Sequence, residues 1–331
     1  MTPVVDGHCD SLLPVLGRSL VPGESAPRDF LARGSAAGGK GHVDLPRLLS
    51  GGVACQAMAL FCDDPFVESG AARATDEMLA ALEGLFEASG GAIFPYGNAA
   101  DAGRAAGEGR VAALVAIEGG EALEGGLERL RGWRSRGLRM LGLTWNRRNE
   151  LGRGVRTAGT DGLSAFGRKV VAECERLGVL VDASHLSDEA FDDLAETAER
   201  PFVASHSNCR AVCPDLRNLD DARLEAIARS GGLVGLTFVP AFVAARPAEA
   251  GLARFLDHLD HAVSVAGAEH VGFGSDFDGY PPPPPGSPCV IEDAAAWPVL
   301  ERAILGRGYT AREAAAFLGG NWLRVLGGLE G

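Results

Sequence analysis

His8 and Asp10 stand one residue apart in the segment Asp6-Gly7-His8-Cys9-Asp10. Side chains of an extended chain alternate, so His8 and Asp10 point the same way while Cys9 points opposite, as a packed thiol. His-x-Asp at the end of a strand is a two-ligand clasp for a metal ion. Glu118 ends the apolar run Val111–Ile117 and precedes Gly119-Gly120, a place where a carboxylate has no business in a core. Its two oxygens could bridge two cations. His185 ends VDASH, His206 ends FVASH, and Asp276 and Asp278 end VGFGSDFD. Imidazole and carboxylate together suit zinc and related divalent ions.

These residues share a position relative to the elements that carry them. Eight short aliphatic runs recur along the chain: Pro3–Asp6, Val53–Leu60, Val111–Ile117, Leu138–Thr144, Val179–Ala183, Phe202–Ala204, Leu233–Phe238 and Val271–Gly274. Between them lie stretches such as Ala71–Ala88, Ser164–Leu177, Asp188–Ala198 and Ala222–Ser230, with apolar residues at three- and four-residue spacing. Ser187 reads as a helix N-cap, and Thr310 with Glu313 as a capping box. Alternating strands and helices predict parallel pairing. A count of eight predicts a closed (β/α)₈ (TIM) barrel spanning residues 1–331 as one domain with a C-terminal helix; a doubly wound open sheet is the alternative. Barrel enzymes keep their chemistry at the C-terminal ends of the strands, and that is where His8, Asp10, Glu118, His185, His206 and Asp276 fall.

Other residues of the same types read as structural. His42-Val43-Asp44 repeats the His-x-Asp spelling, but Asp44-Leu45-Pro46 reads as an N-cap with proline entering a helix. His258 and His261, beside Asp257 and Asp260, read as a solvated helix face, and His270 precedes the last strand at the opposite end of the barrel. Cys209 and Cys213 read as packing residues in the loop after the sixth strand. Pro281–Pro285 predicts a stiff surface loop, as a spacer or a rim over the site.

The 331 residues include 46% hydrophobic and 23% charged residues, which predicts a sizeable core. A net charge of −13 argues against nucleic acid and against an anionic membrane surface. The N-terminus shows no secretory signal pattern, and no apolar run reaches the ~18 residues a membrane helix needs. Seven cysteines without a CxxC fit reduced thiols in the cytoplasm better than a disulfide framework.

The chain resembles the renal (membrane) dipeptidase family, zinc peptidases of the amidohydrolase-like barrel class. The resemblance runs through DGHCD, HVDLPRLLSGGV, AIEGG, LGLTWN, VDASH, ASHSNCRAVCPDLRNLDD, GFGSDFDG and GGNWLRVL. It implies hydrolysis of a dipeptide, with a D-residue at the C-terminal side as one option, by water activated on two zinc ions per chain. By the same resemblance His8 and Asp10 are ligands of the first ion, Glu118 bridges both, and His185 and His206 hold the second. Asp276 is similar to the catalytic acid/base, with Glu118 in the catalytic set, and Arg217 to the residue that grips the substrate carboxylate; a homodimer is also implied. One departure stands out. Kidney-type members carry LTH after the fourth barrel strand, and that His contacts the scissile group. Here the chain reads Leu143-Thr144-Trp145-Asn146, which makes Trp145 and Asn146 the candidate substrate contacts. A binuclear hydrolase of the same barrel class acting on a lactone, amide or phosphoester is the nearest alternative. A non-catalytic binding protein is the alternative of another kind, against which the acid at Asp276 speaks.

Overall fold

Val53–Phe61 (β2) and Val111–Glu118 (β4) are buried at every residue, the mark of strands covered on both faces. With them pair Val4–Asp6 (β1), Leu138–Gly142 (β5), Leu180–Asp182 (β6), Val203–Ala204 (β7), Leu233–Leu236 (β8) and Val271–Phe273 (β9). All pairings are parallel. The order β1–β2–β4–β5–β6–β7–β8–β9 returns to β1, so the sheet closes into an eight-stranded barrel, and the open-sheet alternative is excluded. The computed structural model describes residues 2–18, 20, 28–32, 41–62, 66–67 and 69–329.

One strand escapes the eight-run reading. Ile93–Pro95 (β3) pairs outside the barrel with Val111–Ala113, the stretch of β4 that precedes its pairing with β5 at Val115. Three residues including a proline leave no periodicity to detect. Several barrel strands are also shorter than their apolar runs, Val203–Ala204 being the extreme.

Helices cover the outside as their spacing predicts: Ala71–Ala88, Ala165–Leu177, Asp188–Thr197 and Asp221–Arg229. Ser187 caps the third of these by accepting from the Ala190 N–H, and Thr310 with Glu313 forms the full capping box. Pro281–Pro285 carries no regular structure. Among the described residues no helix is long and apolar enough to cross a membrane.

Alternation along the strands divides the core. Ala112, Leu114 and Ala116 of β4 face the barrel interior with Val5, Met140, Leu180 and Val203, whereas Ala113, Val115 and Ile117 pack against the helices. The same parity carries Glu118 inward at the end of β4. The C-terminal helix Asn321–Gly327 closes the opposite end. There Trp322 is buried and its indole N–H donates to the Phe273 carbonyl at 2.9 Å. It lies so close that a Cβ on Gly7 would fall 2.1 Å from its ring. With one end plugged, the C-terminal ends of the strands form the accessible mouth.

Candidate metal centre

Six side chains from five strand ends meet in this mouth. Glu118 lies at the middle, its Oε2 3.4 Å from His8 Nε2 and its Oε1 2.9 Å from His185 Nε2 and 3.7 Å from His206 Nε2. The two carboxylate oxygens thus serve two different sets of neighbours. On the first side, His8 Nε2 is 3.7 Å from Asp10 Oδ2, and ligand atoms of His8, Asp10 and Asp276 lie within 4.8 Å of one another. On the second, the Nε2 atoms of His185 and His206 are 2.8 Å apart. All are buried except Asp276, which is half-buried.

The local backbone is unusual where it delivers these groups. His185, Asp276 and Asp278 have φ of 70°, 60° and 66°, a left-handed region that non-glycine residues rarely occupy and that collects at functional sites. Gly279 keeps its place for a different reason. A Cβ there would lie 2.2 Å from Asp276 Oδ1 and 2.4 Å from Asp10 Oδ2.

The electrostatics follow from crowding carboxylates and imidazoles out of water. Burial raises the carboxyl of Asp10, and Glu118 raises it further, to about 6, against the pull of His8. Burial also pushes Asp276 well above the usual carboxylate range, with Asp10 and Glu118 adding to the effect. Glu118 goes the other way: burial is outweighed chiefly by the charge of His8, which holds it well below its ordinary value. Burial and Arg217 take His185 down to about 3, and burial and His8 take His206 well down too. His8 is raised, because Glu118 and Asp10 outweigh its burial. Three crowded acids beside the neutral imidazoles of His185 and His206 make a place that favours cations.

The donor set, in two candidate clusters, fits divalent cations. His8 Nε2 and Asp10 Oδ1 are buried without a hydrogen-bond partner, a cost that a bound cation removes. Mixed imidazole and carboxylate ligands with one shared carboxylate suit zinc.

Arg217 lies beside this centre. Its Nη2 donates to the His206 carbonyl and its Nη1 to Ser207 Oγ, each at 3.1 Å, while its buried Nε has no partner. Trp145 forms a half-buried wall 5.2 Å from the Phe61 ring and 6.0 Å from that of His185. Asn146 does not simply face the mouth: its Oδ1 is engaged by His185 Nδ1 at 2.9 Å.

Other expectations change. Asp278 ends the same strand as Asp276 but turns away. It accepts from Ser11 Oγ at 2.7 Å, the His42 N–H at 2.7 Å and Arg28 Nη1 at 2.9 Å. His42 is thus part of a buried clamp on the Asp276–Asp278 turn, while Asp44 caps the helix Leu45–Gly51. The solvated-face reading fails for His258, which is fully buried, accepts from the Cys209 N–H and donates to the Val243 carbonyl. His261 pairs with Asp221 at 2.7 Å, and His270 donates to the Gly232 carbonyl. Cys9 is a buried thiol, 3.7 Å from the Met58 sulfur. Two buried polar residues next to the centre, Asp182 and Ser205, were not singled out from the sequence; an acid ending the apolar run Val179–Asp182 was the available signal.

Comparison with known proteins agrees with this geometry. The chain is 34% identical to the dipeptidase AC, a metallopeptidase of solved structure, with a TM-score of 0.87 over 99% of this chain and 100% of that one. A metallopeptidase from Rhodobacter sphaeroides, solved with a phosphinate mimic of the dipeptide L-Ala-D-Ala, is 33% identical with a TM-score of 0.86 over 98% of both chains. Dipeptidase 3 of Mus musculus is 31% identical over 99% of this chain, which spans 64% of that protein's length. The family model for membrane dipeptidases matches residues 1–331, and the chain belongs to that family, peptidase family M19.

Proposed function

We propose that the protein is a metal-dependent dipeptidase with two zinc ions per chain. The observation that carries this reading is Glu118, whose two oxygens face His8 on one side and His185 and His206 on the other, with Arg217 alongside. His8, Asp10 and Glu118 would hold one ion, and Glu118, His185 and His206 the other. Bound there, the ions supply Lewis acidity and make water a stronger acid.

This chain's own residues account for the rest. Asp276 stands beside His8 and Asp10 with a carboxyl raised by its surroundings, so it can take a proton and release it. Water adds to the peptide carbon, the C–N bond breaks, and Asp276 carries the proton from the water to the departing amine. Arg217 has N–H vectors left over after bonding His206 and Ser207, and these suit the free carboxylate of a short substrate. Trp145 replaces an imidazole with an apolar wall bearing a single donor. It narrows the mouth rather than adding a base. The phosphinate found in the Rhodobacter sphaeroides relative mimics a dipeptide ending in D-Ala, which supports including D-residues at the C-terminal side among the substrates.

Six of the seven cysteines are buried, which supports the cytoplasm as the compartment. A homodimer completes the proposal, to be read by sedimentation. The functional test is a panel of L,L- and L,D-dipeptides beside lactones and phosphotriesters, offered to zinc-loaded protein. Release of free amino acids from dipeptides is the expected result. Faster turnover of lactones or phosphotriesters would replace this reading with that of another hydrolase on the same barrel.

A further inference from the structure

The 2.8 Å contact between His185 Nε2 and His206 Nε2 is a hydrogen bond only if one of these nitrogens carries a proton. The far edges of the two rings decide the matter. His185 Nδ1 lies 2.9 Å from Asn146 Oδ1, and a carboxamide oxygen only accepts, so Nδ1 must be the protonated nitrogen. His206 Nδ1 lies 2.7 Å from Ser205 Oγ. The Ser205 hydroxyl has one proton and gives it to Asp182 Oδ2, a closer acceptor than Ser184 Oγ at 3.4 Å. Its oxygen is then left to accept from His206 Nδ1–H. Both rings therefore present bare Nε2 lone pairs to each other and to Glu118 Oε1. Without a cation between them, these lone pairs would repel.

Both partners are held firmly. The Asn146 carbonyl accepts from the Arg156 N–H at 3.0 Å, and the His185 carbonyl from the Val155 N–H at 2.8 Å. Gly154 allows this strap to close, since a Cβ there would lie 2.1 Å from the Trp145 carbonyl oxygen. Asp182 Oδ1 accepts from the N–H groups of Ser184 and Ser205 at 2.9 and 2.8 Å, which fixes the carboxylate across the gap between β6 and β7.

We propose that Asn146 and the Asp182–Ser205 pair are positioning residues that lock His185 and His206 as Nδ1–H tautomers and so aim both Nε2 lone pairs at the ion beside Glu118. The proposal rests on the reading of these histidines as metal ligands. It also gives Asn146 a role other than substrate contact, and brings in two residues outside the ligand set.

Zinc affinity measured by competition with a chromophoric chelator, together with imidazole ¹⁵N shifts recorded in excess zinc, tests it. Asn146→Leu and Ser205→Ala should each weaken one of the two bound ions by about 10- to 100-fold, the usual scale for losing an outer partner of a ligating histidine. Asn146→Asp can only accept, and should hold zinc within about threefold of the parent. The parent spectra should show protonated Nδ1 on both rings, and Asn146→Leu should blur this for His185 alone. Parent-like zinc affinity in both Asn146→Leu and Ser205→Ala, or a protonated Nε2 on either ring of the parent, would overturn the proposal. A parent that binds no zinc while keeping the Nδ1–H spectra would instead count against the dipeptidase reading and leave the tautomer assignment standing.

Discussion

Gly279 offers a sharp test of how the centre is assembled, because its contribution is purely steric. A methyl group there would lie 2.2 Å from Asp276 Oδ1 and 2.4 Å from Asp10 Oδ2, where ordinary contact begins at 3.4 Å. The two carboxylates would have to retreat by about 1.2 and 1.0 Å, the differences between those figures. They have little room, since Asp10 is buried against His8 and Glu118. Gly279 is not among the glycines that need a left-handed φ, so Gly279→Ala should fold normally. Displacement of a catalytic group by about 1 Å costs on the order of 10²-fold in rate. The expected result is therefore a kcat/KM for dipeptides about 10²-fold below the parent at saturating zinc, with the thermal midpoint lowered by no more than about 3 °C, the shift that overpacking by about 2 kcal/mol gives in a chain of this size. A variant within threefold of the parent, still binding two ions, would refute the claim that Asp10 and Asp276 must sit where the structure places them.

Three further outcomes follow from the same geometry. Asp276→Asn should lower kcat by about 10²–10⁴-fold, the range for removing a general acid–base, and leave bound zinc unchanged; unchanged turnover would remove its role. Arg217→Ala should raise KM for free dipeptides by about 10- to 100-fold and spare their amides, and equal losses in both would place Arg217 elsewhere in the mechanism. Asp278 concerns stability. Burial would raise its carboxyl, but the hydrogen bond and charge of His42 and the charge of Arg28 prevail and hold it at about 2, below its ordinary 3.8. A depressed carboxyl stabilises the fold above its unfolded value, and the effect fades as pH falls from about 4 towards 2; its size is on the order of 2 kcal/mol. Chemical denaturation should show Asp278→Asn less stable than the parent near pH 7, with the gap narrowing below pH 4. A gap independent of pH would contradict the clamp.

Much of this site is legible in the residues alone, for a physical reason. Burying a charged or imidazole side chain is costly unless a partner repays it, so His8, Glu118, His185 and His206 at the ends of apolar runs stand out. Parity along β4 even foretells that Glu118 points inward. What escapes is whatever depends on backbone conformation or on distant contacts. Asp276 and Asp278 sit two residues apart at one strand end, yet positive φ at both sends one to the centre and the other to His42. His258 lies among acids on its helix and reads as wet, but the loop after β7 covers it through Cys209. Asn146 reads as a candidate substrate contact, but its amide oxygen turns to His185 instead. β3 adds a strand that three residues cannot announce.

The proposed centre is a pair of cations sharing Glu118, and counting them is its most direct test. Native mass spectrometry of protein reconstituted with zinc should give two ions per chain, and Glu118→Gln should retain at most one and lose dipeptide turnover. Full dipeptidase activity in a parent chain carrying a single ion, or two ions retained by Glu118→Gln, would contradict it.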